Sequence, residues 1–203
     1  MWHRLIRALG LSLALCAIGL AQPARAAAPD PAAFVQDLGD RTIKILKTST
    51  DLTSRKSAFS QLFTEGFDVP KIGRFVLGRY WQQATPEQQK EYITVFGQYV
   101  VALYSGQFSN YSGEQFKVLG SQPGEQSRAV VTSQIVRPNG GPPIHIDWTV
   151  ERDGDAGYKI IDVSAENVSL TLTKRQEFAS VIEKGGGNVQ ALIDLLKQKV
   201  AQQ

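Results

Sequence analysis

"TPEQQKEYITVFGQYVVALYSGQFSNYSGEQFKVLG", residues 85–120, contains the change of period that decides the fold. In its first part Tyr92, Val95, Phe96, Tyr99, Val100, Leu103 and Tyr104 recur at steps of three and four, the spacing of a buried helical stripe. Ile93 and Val101 lie beside that stripe and widen it, so this helix is expected to touch more than one layer. Thr85 and Gln88 form a capping box at its start. Pro86 takes the first helical position, where a missing N–H costs nothing. From Gln115 the apolar period becomes two.

Downstream the same period holds. "QFKVLG" (115–120) and "SRAVVTSQIVR" (127–137) read as strands, and "PIHIDWTVER" (143–152) sets Ile144, Ile146, Trp148 and Val150 against His145, Asp147, Thr149 and Glu151. "RDGDAG" (152–157) is a hairpin turn, and "YKIIDVSAENVSL" (158–170) is expected to be the last strand. The polar alternates imply an antiparallel sheet with one wet face.

Upstream and at the end, the signals are helical. Asp30 caps "DPAAFVQDLGDRTIKIL" (30–46), with Pro31 at its first turn and Phe34, Val35, Leu38 and Leu46 on one face. A second helix is expected from about Leu52 to Phe63. A third follows in "FDVPKIGRFVLGRYW" (67–81), capped by Asp68. Near the end Thr173 and Gln176 are expected to box one helix, which Gly185, Gly186 and Gly187 break. Asn188 then caps "VQALIDLLKQKV" (189–200), striped by Val189, Leu192, Ile193, Leu196 and Val200. Helices covering one face of a curved antiparallel sheet of about four strands make an α+β fold.

The beginning of the chain bears on where it works. Basic Arg4 and Arg7, an apolar run from about Ala8 to Ala21 and the exit Ala24-Arg25-Ala26 read as a cleaved secretory signal peptide over residues 1–26. The apolar run is shorter than the roughly 20 residues a spanning helix needs. Residues 27–203 are then expected to be one exported domain. A chain of that length buries roughly 70% of its unfolded surface, enough for a core without disulfides. The only cysteine, Cys16, lies in the leader. So do three of the 22 basic residues, which leaves 19 basic against 19 acidic in residues 27–203. The overall pI near 9.0 is therefore a property of the leader, and no basic footprint for nucleic acid remains.

The inventory is poor in chemistry. His145 is the one histidine after the leader, so a metal site built on several His or Cys ligands cannot form there. Neither a G-x-S-x-G elbow nor a G-x-x-x-x-G-K-[ST] phosphate loop occurs. Asp153 and Asp155 begin like a calcium loop, but Gly157 stands where the third ligand belongs. No cofactor is implied.

Residues 67–81 are oily for a stretch with three cations. Ile72, Phe75, Val76, Arg79 and Tyr80 follow helical spacing, and Gly73 and Gly78 permit close approach of another backbone or end the helix. A core helix and a pocket wall both satisfy that pattern, because apolar ligand sites are lined by core-like residues.

Several short motifs then occur in a particular order. They are Leu77-Gly78-Arg79-Tyr80-Trp81 after an aspartate-led helix, Thr85 to Gln88, Tyr111 to Glu114, Asp162-Val163, Val168-Ser169-Leu170, and Arg175 to Phe178. In this order and spacing, over most of the chain after the leader, the sequence resembles the toluene-tolerance/MlaC family of periplasmic lipid-binding proteins. One departure is Ala165-Glu166-Asn167, where the family commonly has a Glu-Gly pair.

The resemblance implies a periplasmic carrier that shuttles phospholipid between outer and inner membranes, with acyl chains in an apolar cavity on one face of the sheet. Its implied partners are an inner-membrane ABC transporter complex and an outer-membrane lipoprotein–porin complex. Burying about 30 CH₂ groups at ~0.8 kcal/mol each is worth about 24 kcal/mol gross, which demands a deep apolar cavity rather than a patch. The expected lining is Ile72, Phe75, Val76, Tyr80, Tyr99, Leu103, Tyr104, Ile146, Trp148 and Val163. Lys71, Arg74 and Arg79 are the candidates for the head group. A carrier of hopanoid or another polycyclic lipid, a small-molecule enzyme of similar fold that would use His145, and a structural adaptor with a filled core remain open alternatives.

Overall fold

The computed structural model describes residues 30–49, 51–107, 111–154 and 157–202. The expected leader, residues 1–26, lies outside them. Six helices and five strands follow in the order α1 (Pro31–Thr48), α2 (Leu52–Gly66), α3 (Val69–Leu77), a 3-10 turn (Gly78–Gln82), α4 (Pro86–Gln107), β1 (Gln115–Pro123), β2 (Arg128–Val136), β3 (Ile144–Arg152), β4 (Tyr158–Ala165), β5 (Val168–Ser169), α5 (Leu170–Lys184) and α6 (Val189–Ala201). The fold is α+β, and no described helix is long and apolar enough to cross a membrane.

The first three helices start in the same way. Asp30, Asp51 and Asp68 each accept a backbone N–H of the first turn, from Ala32, Ser54 and Lys71. At α4, Thr85 and Gln88 exchange hydrogen bonds of 3.1 and 3.2 Å, the expected capping box. At α5 the expectation fails. The helix begins at Leu170 and not at Thr173, capped by the Ser169 hydroxyl, which accepts from the Leu172 N–H at 3.1 Å. Ser169 is held there because it donates to Asp162 of β4 at 2.7 Å, a contact that local spacing does not encode. Thr173 instead turns its hydroxyl back to the Ser169 carbonyl.

The strands form one antiparallel meander, β1-β2-β3-β4-β5. The expected last strand, 158–170, is in fact two. Glu166 and Asn167 take φ of 48° and 65° between the paired Ala165 and Val168, a two-residue hairpin turn. The sheet therefore has five strands rather than about four, the fifth only two residues long.

Two bulges change which residues share a face. β1 has an extra residue at Leu119, between the Val118–Ser133 and Gly120–Thr132 pairs. On β4 the extra residue is Ile161, between the Ile160–Val150 and Asp162–Thr149 pairs. Each bulge switches the parity of its strand. The inner face therefore carries Phe116 and Val118 from β1, and Ala129, Val131, Ser133 and Ile135 from β2. β3 adds Ile144, Ile146, Trp148 and Val150, and β4 adds Ile160, Val163 and Ala165.

Two apolar clusters hold the layers together. One is helical, built from α3, the 3-10 turn, α4, α5 and α6 around Val76, Tyr92, Ile182, Leu192 and Ile193. The other lies where α1 and α2 cover one end of the inner face, around Val35, Leu38, Leu62, Val131, Val150 and Ile160. Phe67 packs against both. Gly39 lets α1 come close to β1, because a Cβ there would lie 2.1 Å from the Phe116 ring. The main neighbours of α4 are α2, α3 and α6, which accounts for the width of its stripe.

Candidate functional site

The inner face of the sheet is covered unevenly. At one end Ala129, Val131, Val150 and Ile160 are sealed under α1 and α2. At the other, Phe116, Val118, Ile135, Ile144, Ile146, Trp148 and Val163 are only half-buried. This second group is contiguous: Phe116 pairs with Ile135, Ile135 with Ile144, and Trp148 with Val163. Seven large apolar side chains on one face, left partly open, make a wall for an apolar ligand.

One polar group is sunk into that wall. Ser133 is fully buried, accepts from Trp148 Nε1 at 2.8 Å and donates to the Ile146 carbonyl at 3.2 Å. The hydrogen bond fixes the indole, and the Phe116 ring packs edge-on to it at 6.0 Å.

The residues expected to line a cavity fall into two groups. Ile72, Val76, Tyr80 and Tyr99 are buried in the helical cluster, with Leu103 packed at its edge. Trp148 and Val163 belong to the sheet cluster, and Ile146 continues the half-open wall next to them. Phe75, 42% exposed, turns away from the helical cluster. Tyr104 is half-buried near the end of α4, and burial raises its phenol pKa. Near it sits Lys174, which the sequence reading missed. Burial pulls its pKa down, but the Glu177 carboxylate 2.6 Å away and the phenols of Tyr99 and Tyr104 bring the net value above the ordinary one.

Tyr92 stands behind the stripe. It is fully buried and donates to the Gly73 carbonyl at 3.1 Å, and burial raises its pKa far above the ordinary value. Gly73 permits that approach, because a Cβ there would meet Ile93 at 2.6 Å.

Of the head-group candidates, Lys71 is ion-paired with Glu151, which Arg128 also holds at 3.1 Å. Arg79 pairs with Glu183 at 2.7 Å and lies over the Tyr80 ring, whose hydroxyl also donates to Glu183. Arg74 lies over the Trp81 ring, 5.7 Å from its centroid, and no ion pair joins it to a carboxylate among the described residues. A second missed residue, Arg175, lies over Phe75 and against Gly78. Gly78 and Arg175 both stood within the motifs quoted above, but nothing in their spacing pairs them. Two surface clefts of about 360 and 370 Å³ share them as lining.

The polar motif residues are used structurally. Asp162 accepts from the N–H groups of Val163 and Thr171 and from Ser169, so it ties β4 to the start of α5. His145 is exposed on the outer face, away from the apolar wall.

A helical layer laid over a half-covered apolar sheet face is the architecture of a binding protein for apolar ligands. The chain belongs to the MlaC family: the family model described as MlaC protein matches residues 36–198. Among solved structures, it is similar to the phospholipid-binding protein from Ralstonia solanacearum in complex with a phospholipid. The two share 26% identity with a TM-score of 0.75, over 85% of this chain and 98% of that one.

Proposed function

We propose that residues 27–203 are a periplasmic carrier that binds the acyl chains of a phospholipid against the half-covered inner face of the sheet. The observation that carries this reading is the contiguous wall from Phe116 to Val163 in a fold closely similar to that of a phospholipid-bound protein. Ile146, Trp148 and Val163 form part of that wall. On this reading Ile72, Val76, Tyr80, Tyr99, Leu103 and Tyr104 back it from the helical side, Phe75 faces outward, and the head group stays at the mouth. None of the three expected head-group cations is assigned to it: Lys71 and Arg79 are neutralised by carboxylates, and Arg74 stacks on Trp81 in a separate cleft.

The chain acts by binding and transfer and not by catalysis. Export through a leader cleaved near Ala26, an inner-membrane ABC transporter complex as acceptor or donor, and an outer-membrane lipoprotein–porin complex complete the reading. A hydrophobic cargo of two acyl chains cannot cross an aqueous space without a protein cover. The test is mass spectrometry of an organic extract from protein purified out of the periplasm. Phospholipid at near one molecule per chain supports the carrier. A polycyclic lipid in its place changes the cargo, and an empty extract from freshly purified protein overturns the reading.

A further inference from the structure

We propose that Arg74 and Arg175 form a docking site for a carboxylate-rich segment of a partner protein, separate from the lipid wall. The idea rests on the carrier reading only in that a carrier must meet a donor and an acceptor. The two guanidiniums line one cleft of about 360 Å³ between α3, the 3-10 turn and α5, together with Lys71, Phe75 and Trp81. Lys71 and the neighbouring Arg79 have carboxylate partners in Glu151 and Glu183. No ion pair joins Arg74 or Arg175 to a carboxylate among the described residues.

Both side chains are held in place by aromatic faces. Arg175 lies 5.0 Å from the Phe75 centroid and Arg74 lies 5.7 Å from that of Trp81. Gly78, at φ 60°, makes room for one of them, since a Cβ there would sit 2.9 Å from Arg175 Nε. Planar, pre-oriented guanidiniums bind carboxylates through two parallel hydrogen bonds. Phe75, 42% exposed, lines this cleft, and Leu172, 51% exposed, lines the second one that shares Gly78 and Arg175, so both supply apolar contact. Arginine with exposed aromatic groups is the composition of an interface centre.

Two other occupants fit less well. The cleft is lined by Lys71, Arg74, Gln82 and Arg175 with Phe75, Gly78 and Trp81, and no aliphatic side chain is among them, so acyl chains have little to pack against here. A flat anionic membrane attracts clusters of projecting cations at about 1 kcal/mol each. Here the site is concave, and residues 27–203 carry balanced charge.

The experiment uses ¹⁵N-labelled periplasmic protein and a synthetic acidic peptide with one central phenylalanine flanked by glutamates. The Nε–H signals of Arg74 and Arg175 should shift on titration. Arg74→Gln and Arg175→Gln should each weaken binding about tenfold, the scale of a lost charge-assisted pair. Arg175→Lys, which keeps the charge and loses the fork, should also weaken it, and melting curves will show that each variant is folded. Extracted lipid per chain should not change. Equal peptide affinity in folded Gln variants overturns the proposal, as does an equal response to inorganic phosphate or sedimentation with phosphatidylglycerol vesicles that Arg74 and Arg175 control. If the wild type holds no lipid, the carrier reading fails while the peptide titration still decides the docking site.

Discussion

The guanidinium carbon of Arg175 on α5 lies 5.0 Å from the ring centroid of Phe75 on α3, and its Nε would meet any side chain placed at Gly78. This contact joins two motifs nearly a hundred residues apart in the chain, Leu77-Gly78-Arg79-Tyr80-Trp81 and Arg175 to Phe178. It sets α3 against α5 and leaves the phenylalanine ring half in solvent.

Gly78→Ala should be costly for two reasons, a backbone at φ 60° and ψ −129° that is essentially restricted to glycine and a Cβ 2.9 Å from Arg175. Such a conformation costs a non-glycine residue roughly 1–3 kcal/mol or more, and displacing Arg175 adds to that. Gly78→Ala in an Arg175→Ala background isolates the first term, because the side chain that meets the new Cβ is gone. Urea unfolding should show the larger loss for Gly78→Ala when Arg175 is present. Equal losses would mean that the Arg175 contact contributes nothing.

Filling the wall and filling the core should have opposite signatures. Val76 is 1% exposed inside the helical cluster, so Val76→Trp overpacks it and should cost ~1–3 kcal/mol. Ile146 lies on the half-open wall, so Ile146→Trp should remove ligand volume with little loss of lipid-free stability. Melting temperature and extracted lipid are measured on the same samples. Unchanged lipid stoichiometry in Ile146→Trp would place the acyl chains elsewhere.

Ser133→Ala removes the acceptor of Trp148 Nε1. An indole N–H left without its partner costs about 1–3 kcal/mol. Trp148→Phe in the same background should restore part of that loss, since no donor then needs an acceptor. A double-mutant cycle by urea denaturation reads the coupling, and strict additivity would show that the bond is not formed.

Lys71, with help from Arg128, holds Glu151 below the ordinary carboxylate range against the opposing effect of burial. The unfolded chain therefore takes up the proton first. The stabilisation is fully present above the unfolded value of about 4.3 and is lost as pH falls through the lower folded value. Glu151→Gln should be less stable than wild type at neutral pH by up to about 1 kcal/mol. That gap should narrow as the pH drops below about 4, and a gap independent of pH would refute the assignment.

Much of the architecture is written locally. Three aspartate caps, the Thr85–Gln88 box and the three- and four-residue stripes of α4 and α6 mark the helices wherever they are read, because the groups involved lie within one turn of each other. The alternation in β3 likewise puts Ile144, Ile146, Trp148 and Val150 on one face with no help from the rest of the chain. β4 is different. Strict alternation would set Val163 opposite Ile160, yet the bulge at Ile161 brings both to the inner face, and that bulge exists only in the pairing with β3. The helix start at Ser169 needs Asp162 across a hairpin, the Arg175 site needs α5 laid on α3, and the half-open wall depends on α1 and α2 covering it only in part. Each is a contact between groups far apart along the chain, whose energy depends on packing that no local period records.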